Sequence, residues 1–182
     1  MVRPGTRRWW WLAVVFVPAA VVWAGERPRP SLQTVPDLDL QRYSGRWYEI
    51  ARLPFRVQEG CHATTATYSS NPDGTIRVEN RCLDRSFTGK ERLAVGKAWI
   101  VEASSNAKLK VQFFWPFRGD YWVLGLGPEY EWALVGDPAR RYMWILSRTP
   151  QLPGATYDAI LALARDRGYD VARLIRTPQP PG

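Results

Sequence analysis

Tyr43-Ser44-Gly45-Arg46-Trp47-Tyr48-Glu49-Ile50-Ala51-Arg52 is the stretch whose reading decides the fold. Gly45 lets the chain turn sharply into a strand, and Trp47 is that strand's first large inward residue. About a hundred residues on, Trp144-Ile145-Leu146-Ser147-Arg148-Thr149-Pro150 reads as a second strand closed by an arginine. A guanidinium can lie flat over an indole face, a contact worth about 1–2 kcal/mol when partly shielded from water. Each residue alone fits ordinary core packing. Together they meet only if the first and last strands are neighbours, and a closed barrel makes them so.

The sequence between them supports that closure. Short apolar runs recur about every ten residues, separated by turn chemistry, the signature of an all-β chain. Strands are predicted near Arg46–Leu53, His62–Ser69, Thr75–Cys82, Leu93–Glu102, Lys108–Phe114, Asp120–Leu126, Trp132–Val135 and Tyr142–Ser147. Asn71-Pro72-Asp73-Gly74, Ser104-Ser105-Asn106, Gly127-Pro128 and Gly136-Asp137-Pro138 supply the turns. Connections this short make consecutive strands antiparallel. A meander of eight leaves two exposed edges unless it closes, so the expected fold is an eight-stranded antiparallel up-and-down β-barrel.

Alternation identifies the faces. In Lys108-Leu109-Lys110-Val111-Gln112-Phe113 the odd positions are apolar, so Leu109, Val111 and Phe113 should face the lumen. Tyr121-Trp122-Val123-Leu124 and Tyr142-Met143-Trp144-Ile145 are apolar on both faces and need an outer cover. Tyr157, Ile160, Leu161 and Ala164 recur at helical spacing before Gly168, which predicts one C-terminal α-helix packed outside the barrel. A short helical turn is expected over Asp37–Tyr43.

The first residues read as a targeting segment. Arg3, Arg7 and Arg8 precede an uncharged stretch from Trp9 to Ala24, which fits a signal peptide or an N-terminal membrane anchor over residues 1–24. Residues 25–36 form a proline-rich spacer, and 37–179 the folded domain. Acylation of the exported chain would need a cysteine just after the small residues, where Gly25-Glu26 stands. The expectation is therefore export to the periplasm or an envelope membrane without a lipoprotein anchor. The chain carries a formal charge of +8. Its cations are interleaved with acids, so the surface is mildly basic and carries no nucleic-acid motif.

Cys61 and Cys82 are the two cysteines. They lie at the far ends of the hairpin that turns at Asn71–Gly74, a residue on either side from direct opposition, a mismatch that a bulge absorbs. In an exported chain the pair suits one disulfide. Free thiols, one of them a nucleophile beside His62, are the alternative.

Gly45, Trp47 and Arg148 resemble the signature residues of the lipocalin family. Tyr130-Glu131-Trp132-Ala133-Leu134-Val135-Gly136-Asp137-Pro138 is similar to the family's middle signature. Gly96-Lys97-Ala98, Phe113-Phe114-Trp115-Pro116-Phe117 and Gly168-Tyr169-Asp170 resemble the bacterial lipocalin (Blc-type) and apolipoprotein D branch. The resemblance implies a calyx, closed where Trp47 and Arg148 meet, that holds a fatty acid, lysophospholipid or similar molecule. It also implies an envelope role in lipid maintenance. That branch is typically anchored as an outer-membrane lipoprotein, and the missing cysteine is a departure from it.

An eight-stranded barrel has room for one small ligand. The expected lumen residues are Leu109, Val111 and Phe113 as apolar wall, with Trp99, Tyr121, Tyr130 and Trp144 adding aromatic surface near the mouth. Arg118 is the candidate partner of a charged head group. No cofactor, metal or catalytic set is expected, and the oligomeric state is left open. The rival reading is an envelope interaction module that uses Trp122 or the loop Phe113–Phe117 as a contact patch.

Overall fold

Eight antiparallel strands close on themselves in the computed structural model, which describes residues 31–101 and 105–181. They are β1 (Gly45–Arg52), β2 (Cys61–Ser70), β3 (Ile76–Asp84), β4 (Glu91–Ile100), β5 (Lys108–Phe114), β6 (Phe117–Leu126), β7 (Trp132–Gly136) and β8 (Met143–Ser147). Each pairs with its sequence neighbour, and β1 pairs with both β2 and β8, which closes the barrel. A four-residue helix α1 (Leu40–Tyr43) precedes it and a longer α2 (Gly154–Asp166) follows. The leader over 1–24, residues 25–30 of the spacer, and Glu102 and Ser104 lie outside the described residues. Among those described, no helix is long and apolar enough to cross a membrane.

The closed end is built where the sequence placed it. Asp39 caps α1 by accepting from the backbone N–H groups of Gln41 and Arg42 at 2.8 and 3.2 Å. The chain then enters β1 through Gly45 at φ +93°. Trp47 is fully buried and its indole N–H donates to the carbonyl of Tyr43 at 2.8 Å. The Arg148 guanidinium lies 3.8 Å from the centre of the Trp47 ring and donates to the carbonyls of Arg42 and Arg46. One side chain thus ties the end of β8 to both flanks of the β1 entry.

Two apolar layers result. The inner one joins Trp47, Tyr68, Val78, Leu109, Val123 and Leu146 inside the barrel. The outer one joins Ile50, Leu134, Met143 and Ile145 to Tyr157, Ile160 and Ala164 of α2. Leu161 of that helix is only partly buried. Gly125 leaves the space that the Leu163 side chain occupies, since a Cβ there would stand 2.4 Å from it.

Several boundaries differ from the sequence reading. β6 starts at Phe117 rather than Asp120 because Phe114 and Phe117 pair across a tight turn. β3 continues past Cys82 to Asp84, held by Cys61 on one side and by β4 on the other. Part of the spacer is packed: Leu32 is buried in the outer layer, and the Val35 N–H donates to the Val123 carbonyl at 2.9 Å. A ninth strand, β9 (Ile175–Arg176), pairs with β1 where β1 has parted from β2. Gln179 completes that repair by donating to the carbonyls of Glu49 and Thr64, one on each strand. Two residues are too few for periodicity to announce.

Cys61 and Cys82 form a disulfide. Cys61 stands opposite Asp84, and a register shift between His62 and Thr65 carries the mismatch. Ala63 in that bulge adopts φ +47°.

Arg148→Ala is expected to lower the unfolding free energy by roughly 2–3 kcal/mol, because it removes the ring contact and orphans carbonyl groups. Arg148→Lys should restore less than half, since an ammonium lacks the planar fork. Urea unfolding followed by tryptophan emission measures both. The Cys61→Ser, Cys82→Ser double variant should lose about 3 kcal/mol through a freer unfolded chain. Equal unfolding midpoints for oxidised and reduced protein would contradict that.

Candidate functional site: the barrel lumen

The inward rows change character along the barrel. Near the closed end Tyr68, Val78, Leu109, Val123, Ala133 and Leu146 are all buried. Farther along the strands toward the other end Ala66, Asn80, Val111, Phe113 and Trp144, on the same inner face, are only half-buried. Solvent therefore reaches into the barrel from one side and stops at an apolar floor. β4 makes the room. Its inward residues are Ala94, Gly96 and Ala98, while its larger Leu93, Val95 and Trp99 point outward. Phe113 lies against Gly96 so closely that a Cβ there would stand 2.7 Å from its ring.

A polar cluster crosses the mouth. Glu49 and Arg52 both face inward, because a register shift between Glu49 and Ala51 turns Ile50 and Ala51 together to the outer layer. Their side chains pair at 3.3 Å and are almost fully buried. Gln58, from the loop after β1, donates to Glu49 at 2.6 Å and accepts from the Trp144 indole at 2.9 Å. Thr177 donates to the other Glu49 oxygen. Arg52 holds the carbonyl of Gln58, and Arg92 from β4 holds those of Val57 and Glu59. The loop is thus tied across the opening from three strands. Burial raises the Glu49 pKa above the usual carboxylate value, while Thr177, Gln58 and Arg52 pull it back.

A second cluster sits at the floor. The Tyr121 hydroxyl lies 2.7 Å from that of Tyr43 and 2.8 Å from that of Tyr68. Burial pushes all three hydroxyls above the ordinary tyrosine pKa, so they stay protonated.

Five of the eight expected lumen residues line the inner face: Leu109, Val111, Phe113, Tyr121 and Trp144. Three do not. Trp99 faces outward because its neighbour Ala98 takes the inward position, and Arg118 lies on the same outer face with its guanidinium 5.1 Å from the Trp99 ring. Tyr130 stands at the closed end rather than the mouth, its hydroxyl accepting from the Asp39 N–H and its ring under Arg42. Trp122 is partly buried in the outer layer, with Lys108 over its ring. Tyr43, Glu49, Arg52, Gln58, Tyr68, Asn80 and Thr177 were not anticipated. The first-strand acid and base were legible as residues, yet only the bulge points both of them inward.

Comparison with known proteins agrees with this architecture. A family described as a lipocalin-like domain matches residues 38–179. Temperature-induced lipocalin-1 of Arabidopsis thaliana is 43% identical over 160 residues, 83% of this chain and 84% of its own. Outer membrane lipoprotein Blc of Escherichia coli is 42% identical over 164 residues, covering 89% and 92%. Among solved structures, insecticyanin from the tobacco hornworm Manduca sexta superposes with a TM-score of 0.67 at 22% identity, covering 83% of this chain and 86% of its own. With the barrel, the Trp47–Arg148 closure and these relatives in place, the chain belongs to the lipocalin family.

Proposed function

We propose that the protein binds one small apolar ligand in its lumen, a fatty acid, lysophospholipid or similar lipid, and carries or stores it. The observation that supports this reading most directly is the graded inner face, buried at the floor and half-buried above it, beside a β4 row of Ala94, Gly96 and Ala98. An apolar wall with few polar groups suits a lipid chain. Small hydrophobic ligands are also the rule for this family. The reading assigns no catalytic role. Cys61 is held in the disulfide, and His62 turns its ring toward the Gly60 carbonyl and the edge of Phe87.

The proposed compartment is the cell envelope, reached by export. The leader-like sequence over 1–24 supports it, and so does the relative named an outer membrane lipoprotein. Glu26 in place of a cysteine argues that this chain is held there by contact rather than by acylation. The mass of the mature N-terminus tests that point: an added acyl group would contradict it.

One surface favours contact with a lipid layer. The hairpin joining β5 and β6 stands at the mouth, with Phe114, Trp115 and Phe117 at 69%, 84% and 77% exposure. Arg118 follows them, and Val57 and Phe87 are exposed on the neighbouring mouth loops. Aromatic rings on a hairpin tip beside a cation fit the boundary between head groups and acyl chains.

Titration with dodecanoic acid or a lysophospholipid should give a saturable change in tryptophan emission. Ala94→Trp, which fills the wall, should weaken binding at least about tenfold with the fold intact, by analogy with the cost of overpacking a closed space. The absence of saturable binding across such a panel would contradict the reading. For the mouth, vesicles containing anionic lipid should shift Trp115 emission to the blue. The Trp115→Ser, Phe117→Ser double variant should lose most vesicle binding while keeping ligand affinity within twofold, and unchanged vesicle binding would remove the hairpin from the account.

A further inference from the structure

Three tyrosine hydroxyls at the floor of the lumen pose a counting problem. Tyr43, Tyr68 and Tyr121 each carry one O–H donor, and Tyr121 joins the other two through contacts of 2.7 and 2.8 Å. Two contacts use two protons. Among the described residues no other group takes the third, whichever hydroxyl carries it. An unused donor in an apolar floor is costly unless something arrives to accept it.

An unused acceptor lies within the same inner face. Tyr68 pairs with Val78, and Ala66 pairs with Asn80 one step toward the mouth. Asn80 therefore stands diagonally above Tyr68, where side chains on one face come within reach of a shared small group. Its Oδ1 is buried and has no partner. The floor thus offers one donor from the tyrosines, with one acceptor from Asn80 a step above it, and neither is charged. Charge bears on the floor with both signs, Glu49 on Tyr68 and Arg148 on Tyr43, and Glu49 is itself paired with Arg52. A carboxylate, an acceptor only, would set its oxygens against Asn80 Oδ1, whereas a group that both accepts and donates one hydrogen bond is matched.

We propose that Tyr43, Tyr68, Tyr121 and Asn80 form an anchoring subsite for the uncharged hydroxyl of a lipid alcohol, which enters head first. Its oxygen accepts the spare tyrosine proton and its own proton goes to Asn80 Oδ1. The alkyl part then lies along Val111, Phe113 and Trp144. This deepens the lumen-ligand reading and rests on it.

Chain-matched probes test the two separately. Dodecan-1-ol and dodecanoic acid are titrated above neutral pH, where the acid is ionised, against the full chain, an Asn80→Leu variant, and a combined Tyr43→Phe, Tyr68→Phe, Tyr121→Phe variant. The full chain should bind the alcohol more tightly than the acid. Both variants should lose about tenfold in alcohol affinity, the scale of one buried hydrogen bond, and less than twofold in acid affinity. The triple change removes every polar atom of the cluster without changing ring shape, and Asn80→Leu gives an independent readout if the triple variant unfolds. Equal losses for both probes, or no loss for either, would overturn the subsite. Binding of the acid alone would overturn the subsite and leave the lumen reading in place, whereas binding of neither probe would overturn the lumen reading itself.

Discussion

The contact of Arg148 with Trp47 is the constraint on which the rest of the molecule depends. A meander of eight strands has two edges, and here the pairing of β1 with β8 joins them. Arg148 locks that junction at its end by stacking on a buried indole from β1 while donating to backbone carbonyls on both sides of the β1 entry. With that end closed, the inner face becomes a lumen with a floor. The outer face of the same strands then needs its own cover, and α2 supplies it.

Closure also creates the tension that the mouth resolves. β1 and β2 pair from Gly45 to Tyr48 and then part. The gap is filled by β9 and Gln179 from the far end of the chain, and by a buried polar cluster centred on Glu49. A buried ion pair is a poor source of stability, because desolvation offsets much of its attraction. What it supplies here is position. Glu49, Arg52 and Gln58 fix the loop over the opening to a particular place, and Arg92 fixes it from the opposite wall. The same barrel therefore carries apolar packing at the closed end and directional hydrogen bonds at the open one.

The division between what was legible in the sequence and what was not follows the same physics. Gly45, Trp47, Arg148 and the regular spacing of turns announced the barrel because each has a strong local signature. The rows on β5 were legible because Leu109, Val111 and Phe113 alternate cleanly with polar residues. β4 misled the reading for the opposite reason. Its outward face is the more apolar one, so Trp99 looked like a lumen residue, whereas the lumen takes the small Ala94, Gly96 and Ala98. Bulk is not a guide to direction where the inward positions are the small ones and a neighbouring ring, Phe113, packs against them. The bulge in β1 hid the inward turn of Arg52, since simple alternation from Trp47 sends that residue outward. Tyr43 and Tyr68 were missed because their partnership with Tyr121 joins three separate elements.

The lumen as a binding site for an apolar ligand is tested most directly by methyl NMR during titration with a lysophospholipid. Val78, Leu109, Val111 and Leu146 line the inner layer, and Leu134, Ile145 and Ile160 belong to the outer one. Saturable shifts, and contacts to the lipid chain, are expected at the inner methyl groups with the outer ones unmoved. Contacts confined to the outer methyl groups, or to the exposed hairpin at the mouth, would contradict binding in the lumen.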